Sequence, residues 1–155
     1  MTIIAYRDGI MAADTMSTSQ ELISCQCTKI KKNDMGLWGA AGNRSQCTKF
    51  LAWADAPSRD EWELLGLEDF VGLHIDNDGS MLYLDEGSGG FFSEGYGDFY
   101  AIGGGCEIAH GVFHMGGSAV DAVKAAAKHM ASIGGTCESL SLDGDGTIER
   151  FKLEK

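Results

Sequence analysis

The chain opens with Met1 followed by Thr2, and an initiator methionine is readily trimmed from in front of a residue as small as threonine. A mature chain beginning at Thr2 would carry a hydroxyl nucleophile and an unblocked α-amine on one residue. Such an amine has an ordinary pKa of about 7.7–8.0, so near neutral pH it can take the hydroxyl proton as a base. The chemistry open to that pair is acyl transfer, provided that other groups of the chain converge on Thr2. Asp14 is the first candidate. Residues 2–6 and 10–13 read as two strands around Asp8-Gly9, a hairpin turn pair. If the turn has two residues, Arg7 faces Ile10 and Ile3 faces Asp14; a three-residue loop would put Thr2 itself opposite Asp14. Either register sets a carboxylate beside the nucleophile.

Two further residues complete the candidate constellation. Residues 22–30 alternate as a strand, which puts Lys29 on one face with Ile23, Cys25 and Cys27. A lysine snorkelling from a strand end would explain it equally well, and Lys31 and Lys32 follow directly. Residues 35–41 read as a short buried strand ending at Gly42. Asn43 is placed to cap a helix over residues 44–55, with Phe50, Leu51 and Ala54 inward. A strand running through Gly42-Asn43 into a helix leaves backbone N–H groups directed outward, where they can hold an anion or an oxyanion.

The remaining elements must carry these groups. Residues 70–75 and 81–84 flank Asn77-Asp78-Gly79 as a second hairpin, and residues 99–102 lead into Gly103-Gly104-Gly105. Residues 106–132 are helical in pattern, interrupted at Gly116-Gly117 and restarted by Ser118 as N-cap. Residues 138–142 and 147–153 form a last hairpin around Asp143-Gly-Asp-Gly146. The order is strands, helix, strands, two helices, strands. It suits two sheets with helices outside them rather than alternating βαβ units.

Composition bounds the rest. At 155 residues, with 44% hydrophobic and 23% charged, the chain fits one globular domain, and no linker or repeat divides it. No apolar run reaches the ~20 residues a bilayer span needs, and the start lacks the charge and apolar stretch of a signal peptide. A formal net charge of −11 speaks against nucleic acid as a partner, since phosphate binding needs clustered Lys and Arg. The five cysteines (Cys25, Cys27, Cys47, Cys106, Cys137) are an odd set without framework spacing, which points to thiols in a reducing cytoplasm. Other motifs fall short. The glycine triplet lacks the full G-x-G-x-x-G, residues 143–146 lack most ligands of a calcium loop, and the Cys25-x-Cys27 pair has no answering pair for zinc. His110 and His114 share a helix face without an acidic base between them, and no G-x-S-x-G elbow is present.

Thr-Ile-Ile-Ala-Tyr6, Gly9-Ile-Met-Ala-Ala-Asp14, Thr28-Lys29-Ile30 and Trp38-Gly-Ala-Ala-Gly42 together resemble the catalytic half of proteasome β-type N-terminal-nucleophile hydrolases, most nearly the HslV-like peptidases. Asp85-Glu86-Gly87 and Tyr100-Ala-Ile-Gly-Gly-Gly105 extend the resemblance along nearly the whole chain. It implies an α+β fold, a four-layer αββα sandwich, and a threonine endopeptidase. In it Thr2 is the nucleophile, Lys29 favours the developing alkoxide by its charge, Asp14 holds Lys29, and the Gly42 N–H stabilises the oxyanion. Thr18 would bind substrate backbone, while Ser17, Cys27, Ala40 and Arg44 would line the first specificity pocket. The resemblance implies no cofactor for the chemistry, though a monovalent or divalent ion can sit near the end of the last helix. It implies a homo-oligomer of stacked rings taking unfolded proteins or peptides, with an ATP-dependent unfoldase as a possible partner, in the cytoplasm and without membrane or nucleic acid. The chain departs from the pattern at Gly104, where the family usually has serine. It also has Ser132 and Gly134-Gly135 where the family often has an acid near the last helix end. An inactive structural or assembly subunit of the same fold is the alternative reading.

Overall fold

A computed structural model describes residues 1–19, 22–62, 65–85, 92–93 and 98–155. The first hairpin, β1 (Ile3–Arg7) and β2 (Ile10–Asp14), turns through Asp8 and Gly9, both with positive φ (51° and 80°). That geometry matches the natural twist of the flanking strands. Arg7 faces Ile10 and Ile4 faces Ala13, so the two-residue turn is the one adopted, and Ile3 comes level with Asp14.

This hairpin is the centre of a five-stranded antiparallel sheet. Its edges are β10 (Phe99–Gly103), paired with β1, and β11 (Thr136–Ser141) followed by β12 (Glu149–Lys152), paired with β2. A second five-stranded sheet runs β5 (Ile30–Asn33), β6 (Gly36–Gly42), β7 (Phe70–Ile75), β8 (Met81–Asp85) and β9 (Phe92–Ser93). Beside the two large sheets lie a two-stranded sheet, β3 (Met16–Ser19) with β4 (Leu22–Gln26), and, among the described residues, four helices: α1 (Arg44–Trp53), α2 (Arg59–Trp62), α3 (Cys106–His114) and α4 (Ala119–His129).

Three apolar cores follow from these faces. Ile3, Ala5 and Ala12 of the first sheet pack on Phe113 of α3 and on Ala119, Ala122, Val123 and Ala126 of α4. The small alanines let α4 lie close to the sheet, and a complete capping box at Ser118 and Asp121 starts it. Ile4, Met11, Ala13 and Leu140 on the other face of that sheet meet Ile30, Leu37, Leu73 and Ile75 of the second. Trp38, Ala40 and Phe70 on the far face of the second sheet meet Phe50 and Trp53 of α1 and Trp62 of α2. Among the described residues no helix is long and apolar enough to cross a membrane.

The structure corrects the expected strand over residues 22–30. The strand β4 (Leu22–Gln26) stops at Gln26 and pairs with β3 (Met16–Ser19), an element the polar Met-Ser-Thr-Ser run does not announce. Residues 27–29 are irregular, because Cys27 N donates to Thr15 O and Lys29 O accepts from Ala40 N. Lys29 thus sits in the break between a small hairpin and the second sheet, not on a strand face. The helix expected to Asp55 ends at Trp53, and the long helical stretch to Ser132 ends at His129. Of the Asp85-Glu86-Gly87 segment, Glu86 and Gly87 lie outside the described residues.

Candidate active site

Strand ends from both sheets converge at one cleft of about 820 Å³. Thr2, at the start of β1, is about nine-tenths buried at its wall. Its place is set by β10: Gly103 pairs with Ile3 at φ 95°, and a Cβ there would fall inside the van der Waals shell of the Thr2 carbonyl oxygen. Gly103, the first of the glycine triplet, therefore serves backbone approach.

Asp14 lies directly beneath. Its carboxylate is buried and accepts from the Ile3 N–H at 3.2 Å and the Gly134 N–H at 3.2 Å, and it pairs with the Lys29 ammonium at 2.8 Å. Lys29 is also buried, and donates a second bond to the Met16 carbonyl at 2.7 Å. A buried ammonium is tolerated only when a counter-charge and acceptors surround it, and both are supplied here. This arrangement removes the snorkelling account of Lys29. Two acceptors fix the Lys29 ammonium in place, and Lys29 rather than Asp14 lines the cleft, so the pair turns its positive pole to the cleft wall.

Opposite, β6 ends at Gly42 with φ 117°, where a Cβ would collide with the Asp69 carbonyl oxygen. Asn43 N donates to that same oxygen at 2.8 Å. Asn43 then caps α1, its Oδ1 accepting from Ser45 N at 3.0 Å and Gln46 N at 3.4 Å, as expected from the sequence. Such caps contribute about 0.5–2 kcal/mol.

Of the residues singled out in the sequence, Thr2, Lys29, Gly42, Ser17, Thr18, Cys27, Ala40 and Arg44 all line this cleft, and Asp14 supports it from below. Arg44 leans across to Cys25, its Nη1 lying 2.9 Å from the Sγ. Sequence reasoning missed Cys47, Thr48 and Leu51, which also line the cleft. Their spacing of three, four and seven from Arg44 was the available signal, since one helix face presents those positions together. It also missed the Gly134 N–H on Asp14, a contact across 120 residues with no local signature. Met1 sits at the cleft with its side chain against Gly104.

Burial pushes the Cys47 thiol up to about 11 and raises Cys27 as well, so the cleft wall presents neutral thiols near pH 7. Because the thiolate is the reactive form, iodoacetamide at pH 7.5 should alkylate Cys47 more than about a hundredfold more slowly than an exposed cysteine in a peptide. Peptide mapping over time checks this; labelling of Cys47 at the peptide's rate would contradict it. Among the described residues no group of three or more His, Cys, Asp or Glu is placed to hold a metal ion.

No protein-family model matches the chain, and no curated protein matches it. Among solved structures it is similar to the eukaryotic HslV from Trypanosoma brucei, with a TM-score of 0.68 over 90% of this chain and 98% of that one. The sequence identity is 18%, so the likeness speaks for the fold. By the course of its backbone, this chain has a proteasome- and HslV-like fold.

Proposed function

We propose that this protein is a threonine-type endopeptidase with the four-layer αββα arrangement, acting through Thr2 once Met1 is removed. The observation that carries the reading is the buried Asp14–Lys29 pair, held by backbone N–H and C=O groups at the cleft that Thr2 lines. A buried ion pair is poor value as a stabilising device, and its presence beside a hydroxyl and an amine fits electrostatic catalysis.

In this mechanism the Thr2 amine takes the Oγ proton as Oγ attacks the scissile carbonyl carbon. Lys29 stabilises the charge developing on Oγ, and the Gly42 N–H stabilises the tetrahedral oxyanion. The amine then gives its proton to the leaving nitrogen, leaving an ester on Thr2. Water, deprotonated by the same amine, releases the acid product and restores the hydroxyl. Thr18 on β3 offers an extended backbone for substrate to pair with, and Ser17, Cys27, Ala40 and Arg44 shape the pocket for the residue before the cut. Assembly into stacked rings, unfolded polypeptide substrates and an unfoldase partner belong to the same proposal, as does a cytoplasmic setting.

Gly42→Ala is expected to lower kcat/KM by roughly 10²–10³-fold, the usual effect of losing an oxyanion donor. The new methyl cannot fit against Asp69 without moving the Gly42 backbone. Steady-state kinetics on a fluorogenic peptide checks this, and unchanged kcat would remove Gly42 from the oxyanion role.

Gly104, and the Ser132-Ile-Gly-Gly135 run where the family often has an acid, favour a second reading, a structural subunit of the same fold without activity. One experiment separates the two. Intact mass gives the N-terminus of the purified protein, and peptide hydrolysis is compared between the chain beginning at Thr2 and the chain retaining Met1. Hydrolysis confined to the Thr2 chain supports the peptidase; none in either supports the structural subunit.

A further inference from the structure

The ends of α3 and α4 are both closed by basic side chains from distant parts of the chain. Arg7 Nη1 donates to Phe113 O at 2.7 Å and Gly117 O at 3.1 Å, which satisfies the end of α3. The end of α4 is closed differently. The Lys155 ammonium donates to Ala127 O at 2.9 Å, to Met130 O at 2.8 Å and to Ile133 O. Three main-chain carbonyls from one helix end and the turn after it therefore surround a single positive centre. Convergent carbonyl oxygens at the negative end of a helix dipole are a cation cage, suited to hard ions that take oxygen ligands. The monovalent or divalent ion expected near the last helix end does not fit here, because the ammonium nitrogen already holds those oxygens. A second cation cannot share the position.

The turn so held is the one that secures Asp14. Gly134 N donates to Asp14 Oδ2, while Gly134 O accepts from Thr15 N at 3.2 Å and Met16 N at 3.1 Å. Ile133, whose carbonyl binds Lys155, is the preceding residue and is wholly buried. We propose that Lys155 is a built-in cation that fills the carbonyl cage at the end of α4, and is thereby a positioning residue for Asp14 and Lys29. The vacated cage is a site for an alkali cation. The effect on catalysis rests on the peptidase reading; the cage does not.

The test uses Lys155→Met in the full chain, with Lys152→Met as a control for lost charge. Thermal unfolding is measured in tetramethylammonium chloride, too large to enter the cage, and in sodium or potassium chloride at equal ionic strength. Lys155→Met should unfold about 2–4 °C lower than wild type in tetramethylammonium. It should recover with a saturating dependence on sodium or potassium, as mass action on a bound ion requires. Wild type and Lys152→Met should not distinguish the salts. In hydrolysis, Lys155→Met should show a several-fold lower kcat at unchanged KM, restored by the same ion. Lys155→Gln, whose amide can still bond one carbonyl, serves if the Met variant fails to fold. A variant as stable as wild type in tetramethylammonium would overturn the proposal. So would one that sodium and potassium leave unchanged, or a wild type that responds as the variant does. A protein without peptidase activity leaves the unfolding result to decide the cage on its own.

Discussion

Thr2→Ala is expected to abolish peptide hydrolysis while leaving the fold in place. The substitution removes one hydroxyl and one methyl from a side chain at a cleft wall, not from the packed interior of a sheet, so unfolding should shift by no more than a few degrees. The chemistry has no substitute. Lys29 is committed to Asp14 and the Met16 carbonyl, and the cleft thiols Cys27 and Cys47 are held protonated by burial. Removing a covalent nucleophile costs roughly ten-thousand-fold or more in kcat in comparable acyl-transfer machinery. The check is kcat/KM on a fluorogenic peptide beside a thermal melt of the same preparation. Residual turnover within tenfold of wild type would move the nucleophile elsewhere.

Asp14→Ala has the second large effect, and it falls on stability and activity together. It strands a buried ammonium and orphans two buried N–H groups, those of Ile3 and Gly134. Removing one partner of a buried pair destabilises by about 3–5 kcal/mol. Removing both charges, as Asp14→Leu with Lys29→Met, relieves the stranded ammonium. The two N–H groups stay unpaired at about 1–3 kcal/mol each, so the double variant should recover only part of the lost stability. It should recover none of the activity, because the positive pole at the cleft is gone. Denaturant melts of the three chains read the first statement and peptide hydrolysis the second. A fully stable Asp14→Ala would show that the carboxylate anchors nothing.

Local chemistry carried much of the site into the sequence. Asp8-Gly9 sets a two-residue turn, and that turn alone brings Asp14 level with Ile3, beside Thr2. Asn43 marks both the end of β6 and the start of α1, so the Gly42 corner could be placed to the residue. Lys29 was harder. Its period-two neighbourhood reads as a strand, yet Thr15 O, between β2 and β3, and Ala40 N, on β6, draw residues 27–29 out of that strand. The hairpin of β3 with β4 was hidden for a related reason, since a polar four-residue strand has no apolar face to announce it. Gly134 and Lys155 could not be seen at all, because their partners lie 120 residues away for one and 22 to 28 for the other. Patterns of short period report short-range structure, and the outer supports of this site are long-range.

The most direct measurement is the intact and peptide-mapped mass of the chain beginning at Thr2 after treatment with an electrophile that captures a terminal threonine, such as a peptide vinyl sulfone or epoxyketone. The account predicts one adduct per chain, located on Thr2, slowed in Lys29→Met and absent from both Thr2→Ala and the chain retaining Met1. An unmodified Thr2, or an adduct that persists in Thr2→Ala with the same inhibition of hydrolysis, would contradict it.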